Sequence, residues 1–257
     1  MLVLYNAPQS TCSQRVRFVL NAKELPFDEV RLDLFSGDQL KPEYLSLNPN
    51  GVVPTLVHDG TPVTDSSVIM EYLEEVYPDG RTFVPVDPAL RARMRSLMRF
   101  IDEVPTPAVR IPSYNLAFLP HYRAMSAEEF QALADSKPLR REFLLKMGRE
   151  GFSEADMNEA LDRLKRAVAR MDAAIAASGG PWLMGADLTL ADVAVMPVIV
   201  RMADINLGAT WADRPAVAYW LDLIRADPVF ATTYYRGSLL TEKYPHLRER
   251  LAAPVAP

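Results

Sequence analysis

Asn48-Pro49-Asn50-Gly51-Val52-Val53-Pro54-Thr55-Leu56-Val57 is the stretch on which the fold turns. Its first four residues form a strong turn cluster, and the next run is apolar and β-branched, as in a strand. Proline cannot donate to a sheet ladder, so Pro54 belongs at the beginning of that strand, in a position suited to a cis peptide. Downstream, Asp59-Gly60 signals a hairpin turn into a short strand at Pro62-Val63. Asp65-Ser66-Ser67 then caps a helix whose Val68, Ile69, Tyr72, Leu73 and Val76 share one face. Upstream, Leu2 to Tyr5 reads as a buried strand and Phe27 to Asp33 as a second one. Between them Val16, Val19 and Leu20 recur at helical spacing, predicting a helix from about Cys12 to Lys23. Leu40 to Ser46 reads as a short helix. The first part of the chain is thus strand–helix–strand followed by strand–strand–helix.

Tyr77-Pro78-Asp79-Gly80 ends this unit, and Pro85 and Pro88 mark a linker. Beyond it no stretch reads as a strand. Ala89 to Glu103 is helical, and prolines 105, 107 and 112 disturb its continuation. Met157, Leu161, Leu164, Val168, Met171 and Ile175 form one apolar stripe of a long helix that ends at Gly179-Gly180. Thr189-Leu190-Ala191-Asp192 opens the most apolar helix, which Pro197 bends. A last helix is predicted from about Pro215 to Ala226. The expected organisation is therefore an α/β domain over residues 1–80, a linker over 81–88 and an all-helical domain over 89–257.

The chain has 257 residues, 49% of them hydrophobic and 24% charged, enough material for two cores. Its net charge of -5 argues against nucleic acid or an anionic membrane as partner, because both need a basic footprint. Cys12 is the single cysteine, so no intramolecular disulfide forms, which suits a reducing compartment. No basic leader precedes an apolar run, and no run is long enough to span a bilayer, so a cytosolic protein is expected. His58, His121 and His246 lack metal-ligand spacing, and neither a nucleophile elbow nor a phosphate loop is present.

Three patterns occur in order: Ser10-Thr11-Cys12-Ser13-x-Arg15-Val16-Arg17, the Asn48 to Leu56 stretch, and Asp65-Ser66-Ser67-Val68-Ile69-x-Glu71-Tyr72-Leu73. A fourth, Gly185-Ala186-Asp187-Leu188-Thr189-Leu190-Ala191-Asp192, follows in the second domain. With these the chain resembles a glutathione transferase over nearly its whole length. The resemblance implies a thioredoxin-like N-terminal domain followed by an all-helical one, glutathione as co-substrate, no metal, and a homodimer. The opening is similar to the zeta class, in which a serine two positions ahead of a cysteine activates the tripeptide thiol. Ile101-Asp102-Glu103 and Met125-Ser126-x-Glu128-Glu129-Phe130 are similar to the bacterial lignin β-etherases of the F type. A β-etherase-like or related aromatic-catabolic transferase is accordingly the closest subclass.

Glutathione's thiol is largely protonated at neutral pH, so the protein must favour the thiolate. A hydroxyl donor at a helix N-terminus does so through a hydrogen bond and the positive end of the helix dipole. Ser10 is the candidate for that donor, with Thr11 able to share the role; an ordinary N-cap is the competing reading. Cys12 sits about half a turn further on. It is read as a small buried residue, as an assisting group, or as the nucleophile itself. By resemblance, the main chain at Val53 and Pro54 pairs with the cysteinyl part of glutathione. Asp65 and Ser66 match the positions that hold its γ-glutamyl end, although both also read as helix caps. The family usually has Lys or Gln where Val52 stands, and that side chain holds the glycyl carboxylate. Valine cannot, which leaves Lys41 or Gln39 to take over, or glutathione binding weak.

Asp102, Arg110, Tyr114, Asn115 and Phe118 match positions that line the family's acceptor pocket, suiting a small electrophile of mixed aromatic and polar character. Two alternatives stay open. One is a zeta-type isomerase of maleyl substrates, against which the long segment Ser126 to Phe152 argues. The other is a non-catalytic binding or scaffold protein, for which Val52 argues.

Overall fold

The computed structural model describes residues 1–252. Leu2–Asn6 forms the central strand β1, parallel to β2 (Phe27–Arg31) on one side and antiparallel to β3 (Thr55–His58) on the other. β4 (Thr61–Thr64) completes the order β2-β1-β3-β4. Leu2 and Leu4 are buried while Val3 and Tyr5 are only half-buried, the alternation expected of a pleated strand. Leu4 faces Leu56 across the ladder, so the core face of both strands is set in one register. β2 stops two residues short of Asp33. There the Asp33 carboxylate accepts from the Phe35 amide at 2.9 Å and starts a turn instead.

α1 (Thr11–Ala22) begins at the Ser10 N-cap and buries Val16, Phe18, Val19 and Leu20. α2 (Pro42–Leu45) is shorter than the sequence suggests, because Asp38–Leu40 coils first as a separate 3-10 turn. The Val53-Pro54 peptide is cis, and the β3 ladder starts just beyond it at Thr55. α3 (Ser66–Val76) is capped by Asp65. The buried Lys23 Nζ at the end of α1 lies 3.1 Å from Glu74 of α3 and donates to the Tyr77 carbonyl at 2.8 Å, tying the two helices together.

The rest of the described chain is helical. α4 (Pro88–Glu103) and α5 (Pro105–Ser113) are separated at Val104, since Pro105 has no amide to continue the helix but suits the first turn of a new one. After Pro112 the chain makes a wider, π-type turn over Tyr114–Phe118 before α6 (Leu119–Arg123). α7 (Ala127–Asp135) and α8 (Arg141–Met147) follow, packed around Phe130, Leu144, Met147 and Phe152. α9 (Glu154–Ser178) buries Leu164, Val168, Met171 and Ile175, and Gly179 ends it with φ 80. Met157 and Leu161, at the start of the stripe, are only half-buried.

α10 (Leu190–Asp204) is buried almost all round. The side chain of fully buried Asp192 receives the Thr189 amide and hydroxyl, the Leu183 amide and the Trp220 indole N–H, each at 2.9 Å. Burial pushes this carboxyl above its ordinary range, while the four donors pull the other way. α11 (Pro215–Ala226) is not the last helix. α12 (Pro228–Thr233), α13 (Leu240–Lys243) and α14 (Pro245–Ala252) continue the chain. They are too short to carry a periodic stripe and are held by tertiary contacts. Buried Arg17 of α1, for example, donates to the Thr233 carbonyl at 3.0 Å. One apolar core runs through both halves, from Leu4, Phe18 and Ile69 to Met94, Val195 and Trp220.

Candidate active site

The start of α1 opens into a cleft between the sheet domain and the helical domain, where Ser10, Thr11 and Cys12 form one wall. Ser10 takes the N-cap conformation, and its Oγ accepts the Ser13 amide at 3.3 Å. Capping uses a lone pair, so the hydroxyl keeps its proton to donate. The two readings of Ser10 are therefore compatible. Cys12 is partly buried and borders the cleft, so its sulfur is not sealed in the core.

Gly51, Val52 and Val53 border the same cleft. The loop is fixed from behind: the Val52 carbonyl accepts from the Tyr44 hydroxyl at 2.6 Å and from Asn48 Nδ2 at 2.9 Å. Val53 lies ahead of the β3 ladder, so its main chain is not committed to pairing with β1. Pro54 is buried behind it and is not part of the wall. Gln39 is buried on the wall, with Nε2 on the Leu34 carbonyl and Oε1 unpartnered. Lys41 is not there. Its ammonium pairs with Asp38 at 2.7 Å beside a separate hollow.

Asp65 and Ser66 stand at the N-terminus of α3. One Asp65 oxygen accepts the Ser67 and Val68 amides at 2.9 and 3.2 Å. Asp65 has φ 72, a conformation that costs a non-glycine residue about 1–3 kcal/mol and that collects at functional sites. Buried Arg15 donates to Ser66 Oγ at 3.2 Å, Thr106 Oγ1 at 2.8 Å and Asp102 Oδ1 at 2.5 Å. Ser67 donates to the other Asp102 oxygen at 2.6 Å. Asp102 is thus not on the acceptor wall. It answers the Arg15 charge across the domain boundary, within reach of the α3 N-terminus.

Opposite α1, the wide turn after α5 brings Tyr114 and Phe118 to the cleft, and Arg110 lies one turn earlier. Such turns shift the side chains that follow relative to a regular helix. Asn115 does not face the cleft. Its amide exchanges hydrogen bonds with the Phe152 main chain, 2.9 and 2.8 Å, and closes on Gly151, where a Cβ would meet its Oδ1 at 2.8 Å. The acceptor role is therefore withdrawn from Asn115, whose side chain fastens the turn to the start of α9.

Several wall residues are not apparent in the sequence: Phe35, Tyr122, Lys137, Arg140 and Arg201. Phe35 meets the Phe118 ring edge-on at 5.5 Å. Arg201 is buried and donates to the Gln9 carbonyl at 2.5 Å. A lone arginine closing the apolar run of α10 was its only trace in the sequence. Lys137 and Arg140 come from the segment between α7 and α8, where Arg140 is one of several basic residues and nothing marks which faces inward. Burial drives the Lys137 ammonium down to about 8. Burial first, and then the nearby charge of Arg110, lowers Arg140 from its ordinary value. Among the described residues, no group of three His, Cys, Asp or Glu side chains could hold a metal, and no helix is long and apolar enough to cross a membrane.

Two family models match, the glutathione S-transferase N-terminal domain over residues 9–76 and the C-terminal domain over residues 154–249. Protein LigF of Sphingobium sp. strain SYK-6 is 29% identical over 245 residues, spanning 92% of this chain and 94% of that protein. The crystal structure of that β-etherase superposes with a TM-score of 0.82, over 91% of this chain and 98% of that one. The maleylacetoacetate isomerase of Rhizobium meliloti is 31% identical over 210 residues, or 80% of this chain and 85% of that protein. A maleylacetoacetate isomerase from Methylobacterium extorquens, solved with bound malonate and glutathione, is 28% identical with a TM-score of 0.65, over 90% of this chain and 95% of that one.

Proposed function

The chain belongs to the glutathione S-transferase family, and on that premise we propose that it uses the glutathione thiolate to attack a small aromatic electrophile, with β-aryl ethers as the first class. The observation that carries this reading is Ser10: a hydroxyl at the start of α1, capping with a lone pair and free to donate, on a cleft whose far wall is aromatic.

In the proposed arrangement the Val53 main chain pairs with the cysteinyl unit, as an added strand does. The free oxygen of Asp65 takes the γ-glutamyl ammonium, and Ser66 with the α3 amides takes its carboxylate. Arg15, paired with Asp102, keeps Ser66 in place. At the sulfur, Ser10 donates its hydrogen bond and the α1 dipole adds to it, so the thiolate is favoured over the thiol. Thr11 and Cys12 flank this point, where Cys12 assists rather than reacts. The thiolate then forms a carbon–sulfur bond at the β-carbon while the bond from that carbon to the ether oxygen breaks. The phenolate leaves with the electron pair and takes a proton from water. Tyr114, Phe118 and Phe35 supply the apolar surface on which an aromatic ring of that size packs. The 29% identity to protein LigF across nearly both whole chains supports this choice of electrophile.

A second reading is thiolate-catalysed isomerisation of a maleyl-type acid. The Ser10-x-Cys12 opening and the likeness to the Rhizobium isomerase favour it. Pairing as a homodimer belongs to the same proposal. The test is glutathione calorimetry followed by turnover on a matched panel of β-aryl ethers and maleyl acids. Release of phenol with a stoichiometric thioether supports the transferase. Isomerisation without glutathione consumption selects the second reading, and no binding at millimolar glutathione ends both.

A further inference from the structure

The cleft carries more positive charge than a neutral electrophile needs. Arg110, Lys137, Arg140 and Arg201 all border it, and no carboxylate does among the described residues. This is in a protein whose net charge is -5, so the cluster is not a by-product of a basic composition. Arg201 is occupied by the Gln9 carbonyl and Ser113. The other three form no ion pair among the described residues. The contrast with the next residue is direct, since Arg141 pairs with Asp135 and Glu142 at 2.7 and 2.6 Å on the exposed side. Arg110 is close enough to disfavour the charge on Arg140. Uncompensated cations held together in a half-buried wall oppose folding, which marks them as placed for an anion that arrives later.

Position gives that anion a place. The turn 137–140 leans on the loop that precedes β3, with Pro138 Cδ 3.3 Å from where a Gly51 Cβ would sit. The turn that carries Lys137 and Arg140 therefore lies beside Gly51 and Val52, where valine offers no polar group, and both side chains line the same cleft. Asp65 and Ser66, assigned above to the γ-glutamyl end, are not on this wall. We propose that Lys137 and Arg140, backed by Arg110, form a carboxylate-binding subsite supplied by the helical domain. The inference rests on the glutathione-transferase reading. Two carboxylates share the required chemistry: the glycyl end of glutathione, and an acid group on the electrophile.

The experiment separates these sources. Calorimetry compares glutathione with its glycyl ethyl ester, in which that carboxylate is neutralised, and steady-state kinetics compares an electrophile acid with its methyl ester. The proteins are wild type, the double variant Lys137→Met with Arg140→Met, and Arg141→Met as the control for a basic residue outside the cleft. The expected result is that wild type prefers the carboxylate-bearing member of at least one pair about tenfold or more, that the double variant loses this preference, and that Arg141→Met keeps it. A preference among the peptides assigns the glycyl end; a KM preference for acid over ester assigns the electrophile. Should the double variant misfold, the wild-type comparisons still decide, because indifference within both pairs overturns the subsite while leaving glutathione binding intact. A wild type that binds neither peptide overturns the transferase reading, and the subsite with it.

Discussion

Ser10 combines two duties through the two sides of one oxygen, which sets what its removal should do. Ser10→Ala is expected to lower turnover about 10²–10³-fold while glutathione affinity changes only a few-fold, since the lost bond is made to the developing thiolate. Ultraviolet absorbance of bound thiolate should vanish in the same variant, and stability should drop by about 1 kcal/mol from the lost cap. Cys12→Ala should keep turnover within a few-fold. The reverse pattern would move the chemistry to Cys12. Asp65 presents the opposite balance. Glycine accepts φ 72 without the strain that aspartate bears there, so Asp65→Gly should keep most of the folding stability despite losing the cap. Its glutathione affinity should fall about tenfold or more, because no carboxylate then meets the γ-glutamyl ammonium. Urea melts and calorimetry on one preparation measure both quantities.

The segment from α7 to α8 shows how an element can be shaped by use rather than by stability. Lys137 titrates near 8 when folded and near 10.5 when exposed. Between those values the unfolded chain holds a proton that the folded chain has released, so this group makes stability rise with pH across that window. Below about 8 both forms are charged and its destabilising effect is complete. Lys137→Met should therefore raise stability at pH 7, by about 1 kcal/mol, and flatten the rise between pH 8 and 10.5. Binding has the opposite sign. The charge that a carboxylate needs is present below about 8 and fades above it. Affinity for S-methylglutathione, which has no thiol to titrate, should fall more steeply as pH rises past that point in wild type than in the variant, where only the γ-glutamyl ammonium loses its charge. A stability gain without this change in binding would separate the lysine from the site.

At the scale of the whole molecule, the two halves are joined by a shared apolar core and by buried arginines that cross the boundary, Arg15, Arg17 and Arg201. Arg15 belongs to the sheet domain and its carboxylate, Asp102, to the helical one. Asp102→Ala should destabilise the protein by about 3 kcal/mol, because it leaves Arg15 charged and unanswered in the interior. Denaturation should remain a single transition by circular dichroism and by tryptophan fluorescence, as the continuous core requires; two separated transitions would mean that the halves unfold independently. The sequence by itself determined the strands, the long helices and the caps of α1, α3 and α10. These depend on neighbours a few residues apart: the alternation in Leu2–Asn6, the Asp65-Ser66-Ser67 cap, the stripe of α9. It also placed Ser10, Arg110, Tyr114 and Phe118 in one group through the resemblance to the family, but not Lys137, Arg140 or Arg201. Only the tertiary structure decided that Asp102 neutralises Arg15, that Asn115 fastens Gly151 and Phe152, and that Cys12 is open to the cleft. The same holds for α12–α14, which are too short to declare themselves and depend on Arg17 and the core for their place. The physical reason is range. A cap or a stripe is fixed by contacts within a turn or two of chain, whereas the direction of a basic side chain depends on which distant surface it meets, here a loop some 90 residues away in sequence at Gly51.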